Sequence, residues 1–265
     1  MPIPSAKPRL QPPGTDPAYC IDSAGELSPR LDLEASCLPY SWALHGVHLD
    51  AAALGGGPSK LQGNYGAPHQ ASPRSPWEAT RIEAALGVAI SMRAELGRAR
   101  VWIWSPRGIP GSQEVALLIG SAALSGVSAC RLGIEVPAET LWTLSTADHD
   151  RLTALQNAGL QTAVRIVPGL GDRTCGRSRP LAGANEGGLA VPSGAIAALT
   201  AHANSLRMIV IAAGVLDRTA ALELGSSGVT AVRGPVVSAP MGVEQMRRFL
   251  GPCEQWLEKM RADSL

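Results

Sequence analysis

From residue 98 onward, short apolar runs alternate with longer segments of helical period, and this alternation constrains the fold more than any other feature of the chain. The apolar runs are RVWIWS, CRLGIEV, QTAVRIV, GLAV, RMIVIAA and VTAVRG, and most stop at Pro or Gly. Between them, SQEVALLIGSAAL, ADHDRLTALQNAG, SGAIAALTAHANSL and LDRTAALELGSSG carry apolar residues at helical spacing. Ser112 is the expected N-cap of the first, and Gly159 the residue that ends the second. Strands that are apolar throughout are covered on both faces, and alternation with helices implies parallel strands joined by crossovers. Upstream, WEATRIEAALGVAISMRAEL places Ile82, Ala85, Leu86, Ala89, Ile90 and Leu96 on one helical face. AYCIDS (18–23) and RLDLEASCL (30–38) are two further strand candidates. Eight strands in about 250 ordered residues match an α/β fold of the (β/α)8, TIM-like barrel type. A doubly wound open sheet is the alternative, but its usual phosphate loop, GxGxxG or GxxxxGK[ST], is missing.

Composition then excludes several function classes. Twenty-three Lys and Arg against 22 Asp and Glu leave a net charge of +1, so neither nucleic acid nor an anionic membrane surface is an expected partner. No apolar run reaches the ~18 residues of a membrane span. The start, MPIPSAKPRLQPPGTDP, has no apolar core of a secretory signal. The five cysteines (Cys20, Cys37, Cys130, Cys175 and Cys253) form no CxxC pair and are expected as reduced thiols in a cytoplasmic protein. Residues 1–16 are expected to be a disordered, proline-rich tail. Residues 17–265 are expected to form a single barrel domain, interrupted by a long Gly-, Pro- and Ser-rich loop at 44–76.

In a parallel barrel, function sits where the strands end. The predicted ends carry Glu34, Ala35 and Ser36; Ile103–Ser105; Glu135; Arg165–Val167; Ala190–Pro192; Ala212–Ala213; and Arg233–Gly234. Two carboxylates are too few for a two-metal hydrolytic centre. His45, His48 and His69 fall in the predicted loop, and His149 and His202 on helices. Ser36 and Ser105 have no base legible beside them, so no nucleophilic serine is expected. Trp102 and Trp104 project to one side of their strand and are expected to pack beneath helices. Trp256, Leu257 and Met260 follow a kink at Pro252 and either close the barrel bottom or form an exposed anchor.

The order of these segments resembles the EAL domain, the cyclic di-GMP phosphodiesterase fold of bacteria. VIAAGVLDRTAALELGSSGVTAVRGPVVSAPM (210–241) resembles the family's AEGVE segment, its helix and the QG-containing strand. RLGIEVPAETL (131–141) resembles its LEITE-type strand. DHDRLTALQNAGLQTAVRIVPGLG (148–171) resembles the helix and strand that end in DDFGTG. LEAS (33–36) stands at the motif that names the family, WIWSP (102–106) at VNLS and LAVPS (189–193) at the KID segment.

The resemblance covers residues 18–250, and its departures point one way. It keeps Glu34 and Glu135, while Leu38 stands where the family has a dinucleotide-binding arginine and Ile103 where it has a metal-binding asparagine. Ala138, Ala190, Pro192, Ala213, Leu216 and Arg233 replace further signature residues, and neither alignment of the paired aspartates over Arg165–Val167 gives an acid. What this implies is a catalytically inactive member with no catalytic residues, no metal and no cofactor. Glu34, Glu135, Arg165 and Arg233 remain at the strand ends as the candidate ligand-binding positions. The two glutamates are expected to be neutralised by the two arginines, since buried carboxylates need partners.

The implied role is a regulatory protein–protein interaction module, with homodimerisation open to it. The alternative is a non-hydrolysing cyclic di-GMP receptor, holding phosphate with Arg233 and Arg165 and stacking guanine on Tyr40, Trp42 or Tyr65. A third possibility, an unrelated barrel enzyme, has only the fold behind it.

Overall fold

A computed structural model describes residues 19–21, 27–29, 32–49, 76–168, 190–191 and 193–251. The expected tail at 1–16, the segment 50–75 of the expected loop, Tyr65, His69, and Trp256, Leu257 and Met260 lie outside the described residues.

Seven strands close into a barrel: β3 (Leu33–Cys37), β4 (Leu44–Leu49), β5 (Arg100–Trp104), β6 (Leu132–Pro137), β7 (Gln161–Pro168), β9 (Ile209–Ala212) and β10 (Ala231–Arg233). They follow that order around the ring, and β10 returns to β3. Six run parallel, whereas β3 is antiparallel to both neighbours. Among the described residues, the short β8 (Ala190–Val191) pairs only with the end of β7. The (β/α) barrel expected from the alternation is therefore present, but with seven strands instead of eight, since GLAV supplies only β8 outside the ring, and with three further corrections to its strands. AYCIDS supplies no barrel strand; its β1 (Tyr19–Ile21) pairs antiparallel with β2 (Leu27–Pro29) in a separate ribbon. The start of the expected 44–76 loop is instead β4, paired with β3 on one edge and, over residues 46–49, with β5 on the other. The predicted parallel direction fails at β3, because residues 38–43 turn the chain straight back as a hairpin, with Trp42 at φ 53°.

Helices clothe the barrel: α1 (Pro76–Ser91), α2 (Arg93–Leu96), α3 (Ser112–Leu124), α4 (Thr140–Thr143), α5 (Thr146–Asn157), α6 (Ser193–Ser205), α7 (Arg218–Ser226) and α8 (Val243–Leu250). Their starts are set by local chemistry. Ser145 accepts from the Asp148 amide while Asp148 accepts from that of Ser145, and Asp217 caps α7 through the Ala220 amide at 2.9 Å. Ser112 is already helical; Gly111 precedes the first turn and donates its N–H to Glu114 at 2.8 Å. Gly159 ends α5 at φ 90°, as the sequence predicts.

Two cores result. The larger lies between barrel and helices and includes Val101, Ile103, Ile134, Val164, Ile166 and Val210. The smaller fills the barrel itself, where Trp102 packs on Ala163, Ile211 and Ala231. Trp102 fits because two neighbours are glycines: a Cβ on Gly46 would lie 2.3 Å from its ring nitrogen, and one on Gly133 2.4 Å from its Cε3.

Candidate functional site at the barrel mouth

The inward positions of β3, β4, β6, β7 and β10 place Glu34, Ser36, His48, Glu135, Arg165 and Arg233 together above Trp102, all of them buried. Arg165 donates from Nη2 to Glu135 Oε2 at 2.8 Å. Arg233 donates from Nη1 to Glu34 Oε2 at 2.6 Å, and its Nε lies 3.9 Å from Glu135 Oε1. The sequence expectation that these glutamates are neutralised by these arginines is met, pair by pair. The guanidinium carbon of Arg165 also sits 3.6 Å from the centroid of the Trp104 ring, a cation–π contact in a dry setting.

His48 completes the cluster, and its placement corrects the reading of it as a loop residue. It lies opposite Glu34 across the β3–β4 ladder, fully buried. Nδ1 is 3.2 Å from Glu135 Oε2 and Nε2 is 2.8 Å from Ser36 Oγ. A carboxylate only accepts, so Nδ1 carries the proton and Nε2 accepts from the Ser36 hydroxyl. Burial pushes the His48 pKa down to about 4, with Arg233 and Arg165 adding to the effect and Glu135 opposing it. The imidazole is therefore neutral at neutral pH. For Glu135, burial alone would raise the pKa; Arg165, Arg233 and His48 outweigh it and hold the carboxyl well below its usual range. The cluster thus contains two anions, two cations and a neutral histidine, and its formal charge is zero. His45 also stacks on Trp102, ring centroids 5.3 Å apart, and its pKa falls to about 3, chiefly through burial.

Ser36, His48 and Glu135 stand in the order of a nucleophile, base and orienting acid, so Ser36 has beside it a base that was not legible in the sequence. All three are sealed from solvent, and Ser36 Oγ lies 3.3 Å from the Gly46 carbonyl as well.

Other predicted strand-end residues fall elsewhere. Ile103 faces the helices beside Ile82, Leu118 and Ile134; the inward residue ending β5 is Trp104, beneath Arg165. Both tryptophans thus share a side as predicted, but point into the barrel, not under helices. Ala213 is buried, with its N–H bonded to the Ile166 carbonyl at 2.9 Å, and offers no polar group. Leu216 is exposed beyond the mouth. Among the described residues, no group of three or more His, Cys, Asp or Glu side chains is arranged to hold a metal ion.

No family model and no curated protein matches the chain. Solved structures do. The EAL domain of Mycobacterium smegmatis DcpA superposes with a TM-score of 0.55 at 15% identity, over 84% of this chain and 98% of that one. The PaMucR phosphodiesterase in complex with c-di-GMP gives 0.53 at 15%, over 82% and 98%. Klebsiella pneumoniae BlrP1, in a calcium and cyclic di-GMP complex, gives 0.52 at 18%, over 82% of this chain and 57% of that one. The chain thus spans little more than half of BlrP1 and nearly all of the two shorter structures. At these identities the likeness establishes the fold, an α/β barrel of EAL type.

Proposed function

We propose that this chain is a catalytically inactive EAL-fold protein that acts as a regulatory protein–protein interaction module in bacterial signalling. The observation that carries the reading is that both mouth carboxylates already hold a guanidinium, Glu135 that of Arg165 and Glu34 that of Arg233. The fold family implies a divalent cation here, and the residues present do not fit one. Glu135 Oε2 already lies within reach of Arg165 and His48, and a cluster of zero net charge has no surplus negative charge to offset the desolvation of a divalent cation. Nothing at Ala213 or Ile103 replaces the oxygen ligands that the family motif would supply there. Without a bound ion to activate water, the barrel is left with its outer surfaces for work, which supports a role in binding protein.

The test is incubation with cyclic di-GMP and Mg2+, Mn2+ or Ca2+, followed by chromatography for the linear dinucleotide. None is expected; turnover that disappears in Glu135→Gln would overturn the reading. One observation favours the alternative of a non-hydrolysing cyclic di-GMP receptor: Arg165 Nε is buried with no hydrogen-bond acceptor among the described residues, which leaves a donor for a phosphate oxygen. Calorimetry separates the two readings. No heat is expected, whereas metal-independent micromolar binding that is lost in Arg165→Met would establish the receptor.

A further inference from the structure

Helix α3 carries no charged side chain after Glu114 on any of its sides. Val115, Leu118 and Ala122 face the barrel and are buried. On the opposite side Ala116, Leu117, Gly120, Ala123 and Leu124 are exposed, Leu117 by 45% and Leu124 by 92%. A surface helix ordinarily turns polar residues outward, and one that is apolar all round belongs in an interior. The neighbouring α1 extends the face with Gly87 and with Ile90, 53% exposed. A Cβ on Gly87 or Gly120 would meet nothing within 4 Å, so among the described residues none covers this plate at those points. By contrast, α5 presents the charged residues Asp148, Asp150 and Arg151 along a comparable length.

We infer that a second copy of this chain covers the α1–α3 face, in a two-fold, dissociable dimer. Three observations favour a copy of this chain over another partner. The centre of the plate is uncharged, so a partner that brought charges there would lose their hydration without compensation; a second copy brings none. The charges at the rim are self-complementary. Glu83 stands at the middle of α1, one turn before Gly87 and bounding the apolar stretch, and Arg93 just past the helix end, both exposed, about 15 Å apart along the axis. A two-fold lying across the helices runs α1 antiparallel to its copy and brings Glu83 of one chain toward Arg93 of the other.

The area also suits such a dimer. Two adjacent helices, each about 20 Å long and about 10 Å apart, present roughly 400 Å2 in projection per copy. That lies below the ~800 Å2 per partner of a standard stable interface, in the range of weak, reversible association. The inference stands whether or not the barrel mouth binds or cleaves anything.

Sedimentation velocity on the full chain, from about 1 µM to about 1 mM, tests it over the range in which a small interface dissociates. The expected result is a concentration-dependent shift from monomer to dimer. Leu124→Glu, at a position too exposed to threaten folding, should leave only monomer, whereas Leu216→Glu, exposed on another part of the surface, should behave as wild type. Glu83→Arg should weaken the dimer about fivefold, and Glu83→Arg combined with Arg93→Glu should restore it, a rescue that requires the two residues to meet across copies. A chain monomeric throughout the range, or a dimer indifferent to Leu124→Glu, overturns the inference.

Discussion

Arg165 lies against the ring of Trp104, 3.6 Å from guanidinium carbon to centroid, and from that position holds Glu135 at 2.8 Å. Strand β5 therefore supplies the platform, β7 the cation and β6 the anion of one buried unit. Removing one partner of such a pair leaves a charge stranded in a dry site. Arg165→Met is expected to cost about 3–5 kcal/mol, much more than loss of a surface ion pair. Urea denaturation measures it; a change under about 1 kcal/mol would mean that water already reaches Glu135. Pairing the substitution with Glu135→Gln should recover part of the loss, since the amide can still accept from His48 without carrying charge.

The same cluster fixes how stability depends on pH. His48 has its pKa lowered from 6.5 to about 4 by burial, so the unfolded chain takes up a proton that the folded chain refuses. Its contribution is complete above pH 6.5 and is lost as pH falls through about 4, amounting to about 3 kcal/mol. His45, lowered to about 3, adds a loss in the same direction and window. Glu135, held below its ordinary value of 4.5, extends the decline to lower pH. Melting temperatures at intervals from pH 7.5 to pH 4 should therefore fall progressively, and His48→Gln should flatten the upper part of that curve. A flat wild-type profile over the interval would contradict a neutral, buried His48.

The barrel was legible because its parallel strands are apolar throughout and end at Pro or Gly, which is what burial on both faces requires. Strand β4 was not, and the reason is its interior face. LHGVHL places Gly46 and His48 inward, the glycine to admit Trp102 and the histidine to bond Glu135, so the run reads as polar and glycine-broken. The reversal at β3 depends on a short hairpin containing Trp42 at φ 53°, a conformation that no composition rule assigns to tryptophan. The pairing of Glu34 with Arg233, 199 residues apart, was legible only as a need of buried acids for cations. Ser36 and His48 could have been joined by one signal, the two-residue alternation of β3 against β4, had β4 been recognised as a strand.

Because Ser36, His48 and Glu135 are linked in triad order yet fully buried, the native protein is expected to resist fluorophosphonate labelling. Ser36→Ala should cost about 1–3 kcal/mol, since it leaves His48 Nε2 without its donor in a dry site. Mass spectrometry after probe treatment reads the first expectation and denaturant unfolding the second. Adduct on Ser36 at a rate that falls in His48→Gln would show that the barrel opens and that the relay activates its serine.

The fit of Trp102 against Gly46 and Gly133 offers a test of the barrel interior independent of charge. An alanine at Gly133 places a methyl group 2.4 Å from Trp102 Cε3, inside van der Waals contact, and the ring has backbone from several strands around it. Overpacking of this kind costs about 1–3 kcal/mol or more. Trp102→Leu alone should also destabilise, by leaving a cavity beneath His48 and His45, whose rings stack on it at 5.9 Å and 5.3 Å. Combined, the two changes relieve each other in part, because the smaller side chain frees the volume that the methyl group needs. A double-mutant cycle in urea should therefore show favourable coupling of about 1 kcal/mol or more. Strict additivity would mean that Trp102 does not occupy the space above Gly133.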